Sequence, residues 1–198
     1  EMVMVVCTKE YAQSPNEPGD FFNTAMVAAP RALKAEDLAA GLKYRLKPKT
    51  PGQELKVASS DEQTVRKEPD GSLLVEVSKL APPPGVPLPY QGQDPEIAKR
   101  LKSTAYVQSD APQIKALAEK AAGDAQDAAT AAKRIEAFVT GFIDKKNLAV
   151  GYASALEVAQ SRQGDCTEHA VLGAALCRAK GIPARVVTGY AGGYRNPI

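Results

Sequence analysis

The sequence is poor in histidine, cysteine and excess charge, and each shortage excludes a class of protein. It contains one histidine and three widely spaced cysteines in 198 residues. Three cysteines do not make the disulfide framework of a small secreted scaffold. Lysine and arginine exceed aspartate and glutamate by two (25 − 23), and this net charge is too small to indicate nucleic acid or an anionic membrane surface. We therefore expect no nucleic-acid partner.

Long apolar runs are also missing. None approaches the roughly 20 residues that a membrane-spanning helix requires, so no membrane span is predicted. The chain begins with Glu1 rather than methionine, which we interpret as a processed or trimmed product without its targeting segment. A chain of 198 residues is long enough for one or two domains with a real core.

The most informative stretch is Gly164–Ala170, followed by an apolar run and then by Gly181–Val187. Asp165 and Glu168 form the D-x-x-E pattern of a capping box, which predicts a helix that starts at Cys166. The helix is apolar on nearly all sides up to Cys177, which predicts that it is buried. Gly181 predicts its end, and the β-branched residues after Pro183 predict a strand.

Cys166 therefore lies in the first turn of a buried helix. Unpaired N–H groups and the positive end of the helix dipole favour a thiolate there and can hold a developing oxyanion. Asp165 and Glu168 oppose this effect with negative charge, so a nucleophilic Cys166 would still need an imidazole partner. The alternative is that Cys166 is a buried apolar filler, which is the interpretation we prefer for Cys177.

The run from Ala155 to Tyr190 contains SRQGDCTEHAVL and RAKGIPARVVTGY. It resembles the core of bacterial transglutaminase-like proteins, a branch of the papain-like cysteine superfamily. The resemblance implies that Cys166 is the nucleophile of a Cys-His-Asp triad, whose His and Asp follow on later strands. The chain ends at Ile198 with His169 as its single histidine, so we expect it to be truncated before those two residues.

The resemblance also implies an activity. Cys166 would attack an amide carbonyl of a protein or peptide substrate, and the acyl-enzyme would pass to water (peptidase or amidase) or to an amine (acyl transfer). No cofactor or metal is implied, and we favour a bacterial periplasmic location over a cytoplasmic one. The other hypothesis is a non-catalytic structural or protein-binding module with a relic cysteine. The oligomeric state is left open.

Each of the other candidate residues around Cys166 could have a functional or a merely structural role. Papain-like enzymes often place an oxyanion-hole side chain where Gln160 and Gln163 stand here, but both could simply face solvent. His169, one turn beyond Cys166, could act as an improvised base or as a metal ligand with Cys166 and Cys177. The metal hypothesis is poor because no C-x-x-C or H-x-x-x-H pair accompanies them. We assign His169 a supporting role beside Asp165 and Glu168.

The rest of the chain predicts an α+β protein. Leu42–Leu46 alternates as a strand, and residues 64–66 and 73–77 flank the turn Pro69-Asp70-Gly71 as a hairpin. We expect a β-rich module over residues 1–80, which could position a partner or be a structural appendage. A Pro-rich linker follows over 81–95, and the helical half of a transglutaminase-like domain over 96–198. In that part, helices are predicted from Asp94, from Asp110 to about 122, over 125–145 and from Ser154.

Overall fold

The computed structural model describes residues 8–9, 34, 36–37, 41–50, 52–78, 81, 83, 85–147 and 150–189. The strand predicted at residues 2–7, with Cys7, lies outside this range. Within it the chain is α+β, as predicted. Its strands are β1 (Leu42–Leu46), β2 (Gln63–Lys67) and β3 (Leu73–Val77), and its helices are α1 (Pro95–Ala98, continued by a 3₁₀ turn over Lys99–Leu101), α2 (Pro112–Ala122), α3 (Ala128–Phe142), α4 (Ala155–Ser161) and α5 (Cys166–Ala179).

The three strands form one antiparallel sheet in the order β1-β3-β2. The hairpin turn between β2 and β3 is closed by Asp70, whose Oδ1 accepts from the Ser72 N–H at 3.0 Å. On β3, Leu73 and Val75 are buried, whereas Glu76 on the opposite face pairs with Lys43 at 3.0 Å. The alternating sequence of residues 73–77 predicts one buried and one solvent-facing side, and the structure confirms it.

Close contacts divide the described residues into two compact units, with the boundary after Ser78. In the second unit, part of the Pro-rich stretch is bound to the helices. The Val86 carbonyl accepts from the Ala128 N–H at 3.0 Å, and the Tyr90 N–H donates to the Gly181 carbonyl at 2.9 Å. We call residues 86–90 the strap. The division into a module, a linker and a domain remains a prediction.

The helical unit is built around α5, which contacts α2, α3 and α4. The apolar faces of these helices supply its core. Four residues of α5 are completely buried in that core, and those from the other helices are nearly so: Val171, Leu172, Ala175 and Leu176, with Ile114, Ala118, Ala131, Ile135, Val139 and Val158. One apolar face of α5 thus packs against the apolar faces of α2, α3 and α4.

Two predicted helix boundaries differ from the observed ones. Helix α2 begins after Ala111, because the carboxylate of Asp110 accepts from the Ser103 hydroxyl at 2.5 Å and does not cap the helix. Helix α3 ends at Phe142 rather than near Lys145. The backbone of Lys145 is instead bonded to Arg162 and Gly164, at 3.2 and 3.1 Å, so Lys145 is not in the last helical turn.

Helix α5 ends in a Schellman motif. The Ile182 N–H donates to the Cys177 carbonyl at 2.8 Å, and the Gly181 N–H to the Arg178 carbonyl at 2.9 Å. Gly181 has a φ of +77°, as this motif requires.

The strand predicted after Pro183 is wrong for the residues described up to 189. None of them pairs with a strand in the described part of the chain. The Ala184 N–H instead donates to the Arg100 carbonyl at 3.2 Å, and the Arg178 Nε donates to the Ala184 carbonyl at 2.8 Å. A β-branched run forms a strand only when a partner ladder is present, and here the backbone is bonded elsewhere.

Candidate active site

Cys166 is the first residue of α5, and it is exposed. The predicted capping box holds this turn. Asp165 is the N-cap, and its Oδ1 accepts from the Thr167 N–H at 2.8 Å, while Glu168 Oε2 accepts from the Asp165 N–H at 3.0 Å. Because both bonds are local, the sequence alone predicts them, and they fix the backbone that carries the thiol.

Glu168 has a second role that the sequence does not reveal. Its side chain is completely buried, and its Oε1 accepts from the buried Ala153 N–H at 3.0 Å. One carboxylate therefore joins the chain just before α4 to the chain just before α5. The sequence signal for this second bond was an acidic residue at the start of a helix that is otherwise apolar. If such a carboxylate is buried, it needs further hydrogen-bond donors.

Gly164 lies against Glu168. Its φ is +150°, and a Cβ built at this position would stand 2.3 Å from both Cβ and Cγ of Glu168. The Gly164 N–H donates to the Lys145 carbonyl. Only glycine allows the chain to pass this close to the first turn of α5. The Gly-Asp-Cys sequence thus has a steric reason for its first residue.

The ring of His169 turns back to its own helix turn. Its Nδ1 lies 2.6 Å from the Asp165 carbonyl oxygen, which also accepts from the His169 backbone N–H at 3.1 Å. A carbonyl oxygen only accepts, so in this contact Nδ1 carries the proton and Nε2 is the basic nitrogen. His169 is partly buried. The supporting role assigned to it stays a prediction.

The two glutamines proposed for an oxyanion hole are placed differently. Gln163 Nε2 donates to Asn147 Oδ1 at 3.0 Å, so this amide already has an acceptor. Gln160 is the exposed sixth residue of α4, and its side chain makes no hydrogen bond to another described residue. Of the two, Gln160 is the one whose amide remains available to a ligand, and its role remains a prediction.

The backbone supplies a further donor. Among the described residues, none accepts from the Cys166 N–H, which lies at the positive end of the helix dipole. The carboxylates of Asp165 and Glu168 place negative charge in the same turn and oppose the dipole. The site therefore combines an exposed thiol, a free N–H group and two local carboxylates.

No group of three or more His, Cys, Asp or Glu residues within the described part of the chain is arranged to hold a metal ion. No helix there is long and apolar enough to cross a membrane.

An exposed cysteine at the start of a helix, with a capping box and a glycine before it, is the arrangement that the sequence predicts for a cysteine nucleophile. Comparison with known families agrees. Residues 115–196 match the transglutaminase-like superfamily. The match covers less than half of the chain, and for these residues the predicted resemblance to transglutaminase-like proteins is confirmed.

Comparisons with curated proteins and with solved structures do not identify a function. No curated protein matches the chain. A crystal structure of a candidate cysteine protease from Cytophaga hutchinsonii matches at 16% identity with a TM-score of 0.44, over 73% of this chain and 60% of that one. The chain thus spans 60% of the length of that protein, and a similarity this low carries no argument about activity.

Proposed function

We propose that the chain is part of a transglutaminase-like cysteine enzyme that acts on amide bonds of a protein or peptide, with Cys166 as the nucleophile. The observation that carries the proposal is the exposure of Cys166 at the start of α5, inside the segment that matches the superfamily. Cys177, the other described cysteine, is partly buried against the core near the end of the same helix, so it is a weaker candidate for this role.

The proposed reaction has two halves. In the first, an imidazole takes the proton of the Cys166 thiol, and the sulfur forms a bond to the amide carbonyl carbon. The tetrahedral intermediate carries its negative charge on the former carbonyl oxygen. The carbon–nitrogen bond then breaks, the amine leaves with the proton from the imidazolium, and a thioester remains on Cys166. Water or a second amine attacks this thioester in the other half.

The Cys166 N–H is the first candidate donor to the oxyanion, because no described residue occupies it. Gln160 is a second candidate with an available amide. Gln163 would first have to release Asn147. Since loss of one oxyanion donor costs about 100- to 1,000-fold in kcat in a protease, the effect of Gln160→Ala on activity discriminates between these assignments.

His169 is a poor choice for the base. Its Nδ1 is bound to the Asp165 carbonyl oxygen at 2.6 Å. It also lies on the same helix as Cys166 rather than across a substrate cleft. Because the sequence contains no other histidine, we expect the 198-residue chain alone to be catalytically silent.

The test compares the 198-residue chain with a version extended by any residues that the gene encodes after Ile198. Both hydrolysis and transfer to an amine are measured. We expect activity only in the extended form, at several orders of magnitude above the short form, and its loss in Cys166→Ala but not in Cys177→Ser. Activity of the short chain that disappears in His169→Ala would show that His169 is the base.

The alternative is a non-catalytic binding module. It is favoured by one observation, the engagement of the single imidazole with a backbone carbonyl rather than with a thiol. The same experiment decides between the two. An extended chain that carries the predicted His and Asp, folds, and still leaves amide substrates untouched would establish the binding module and overturn the enzyme.

A further inference from the structure

Two tyrosines form an exposed aromatic pair in the helical unit. Tyr106 and Tyr152 are 52% and 54% exposed, and their rings meet edge to face with centroids 4.8 Å apart and an interplanar angle of 87°. The other large apolar residues exposed in the described part of the chain are aliphatic, namely Ile97 and Val187. The pair contributes little to the core, and both rings offer free apolar surface.

Both tyrosines are anchored to the frame that carries Cys166. The carbonyl of Tyr106 accepts from the Ala155 N–H at 2.8 Å, at the first residue of α4. Tyr152 directly precedes Ala153, whose N–H is held by the buried Glu168 at 3.0 Å. The pair therefore rests on a backbone that is bonded to the first turn of α5.

The same carboxylate limits how far the pair lies from the nucleophile. Its two oxygens accept from the Ala153 and Asp165 N–H groups, each at 3.0 Å. Standard bond lengths then place these two nitrogens no more than about 8.5 Å apart, which is two to three residues of extended chain. Tyr152 is bonded to one of these nitrogens, and Cys166 follows the residue that contains the other. The side chains of Tyr152 and Cys166 are thus attached to backbone positions next to these two nitrogens.

We propose that Tyr106 and Tyr152 form a substrate subsite that takes an aromatic side chain of the peptide acyl donor, a few residues from the attacked amide. This inference rests on the proposed function of Cys166. An aromatic occupant fits because the pair presents ring edges and faces with which a third ring can make offset or edge-to-face contacts. The two hydroxyl groups leave the rim of the subsite polar.

The test uses peptides that carry a chloromethyl ketone and differ only in one residue. A series places Phe or Gly at the second, third or fourth position from the reactive group, and mass spectrometry follows the modification of Cys166 in the 198-residue chain. At one position we expect the Phe peptide to react roughly three to ten times faster than its Gly counterpart. This preference should vanish in Tyr152→Ala and persist in Tyr152→Phe.

Two controls keep the outcomes apart. Ile97→Ala removes a comparably exposed apolar residue from α1, and it should leave the preference unchanged. Iodoacetamide carries no side chain, so it should label Cys166 equally in all variants. If iodoacetamide labels Cys166 no faster than Cys177, the proposed function fails and the subsite with it.

If iodoacetamide labels Cys166 but the Phe and Gly peptides react alike at every position, the subsite alone is overturned. The subsite is also overturned if Tyr152→Ala and Ile97→Ala lower the preference equally. A further contrary outcome is that Tyr152→Ala changes only the sedimentation of the chain, since the pair would then be a contact between two copies.

Discussion

The two ends of α5 carry the two described cysteines, and they differ in every property that sets thiol chemistry. At its start, Cys166 is exposed among polar groups and an unpaired N–H. Near its end, Cys177 packs against the core, and burial raises the pKa of its thiol to about 11. The residue type and the helix are the same in both places. The difference teaches that the position of a cysteine along a helix, rather than its presence, decides whether it can act as a nucleophile.

The groups that bind the terminal backbone N–H and carbonyl groups of α5 also differ between its two ends. The start is closed by side chains, since Asp165 and Glu168 bind backbone N–H groups. The end is closed by the backbone bonds of the Schellman motif at Gly181. The closure at the start places two carboxylates beside Cys166, whereas the Schellman bonds at the end use no charged group. The predictions below test this contrast, from the largest expected effect to the smallest.

The largest effect concerns thiol labelling. At pH 8 a thiol of pKa about 11 is ionised in roughly one molecule per thousand, so Cys177 should react with iodoacetamide at least about 100 times more slowly than Cys166. The rate at Cys177 should rise about tenfold per pH unit until the pH approaches 11, because only the thiolate reacts. Mass spectrometry of partial labelling measures both rates, with Cys177→Ser as the control.

Equal labelling rates of Cys166 and Cys177 at pH 8 in the folded chain would show that the two ends of α5 do not differ in thiol reactivity. Preferential modification of Cys177 would count directly against Cys166 as the nucleophile.

The next effect concerns the closure of the helix start. Glu168→Ala leaves the N–H groups of Ala153 and Asp165 without their acceptor, and it empties a buried volume. We expect the free energy of unfolding to fall by about 3–5 kcal/mol, measured by urea denaturation. Glu168→Gln keeps the volume but presents an amide to two donors, so it should recover only part of the loss.

Glu157 is the matched control, because it closes α4 by the same capping box with Ser154 but is exposed. Glu157→Ala should cost clearly less than Glu168→Ala. Hydrogen bonds from Ser154 hold the pKa of Glu157 below its usual value, so its stabilising effect is present at neutral pH and is lost as the pH falls through that lowered pKa. Similar costs for both glutamates would show that the buried bond to Ala153 contributes nothing.

The smallest expected effect on stability concerns the C-terminal end of α5. Gly181→Ala introduces a side chain at a φ of +77°, and its Cβ would stand 2.3 Å from the Cβ of Pro89 in the strap. We expect a loss of about 1–3 kcal/mol in the free energy of unfolding. Gly173→Ala in the same helix meets nothing within 4 Å, and it should stabilise the chain by about 0.5–1 kcal/mol. A stabilising Gly181→Ala would contradict the Schellman closure.

Local patterns predicted much of this fold. The start of α5 at Cys166, its end before Gly181, and the hairpin around Asp70 all depend on residues within a few positions of one another. Capping boxes, Schellman glycines and tight turns are short-range devices, so one sequence contains all the information needed to place them.

Features that depend on distant partners were missed. The bond from Ala153 to Glu168 joins two helix starts, and the early end of α3 depends on the bonds between Lys145 and the chain before Cys166. The strand expected after Pro183 needed a ladder partner that the described residues lack. Of the site itself, the sequence predicted the location of Cys166 and its capping partners, but it gave no sign that Tyr106 and Tyr152 meet.

The contact of Gly164 with Glu168 has a consequence for comparing relatives of this protein. A side chain at 164 would collide with the Cβ of residue 168, which every amino acid except glycine possesses. Position 164 is therefore constrained by any residue at 168 that has a Cβ. Position 168 is constrained by the two N–H groups that it must accept. In a relative whose cysteine has lost its chemical role, Gly164 and Glu168 should both persist. Their presence therefore identifies the loop that leads into α5. Only the cysteine identifies the enzyme.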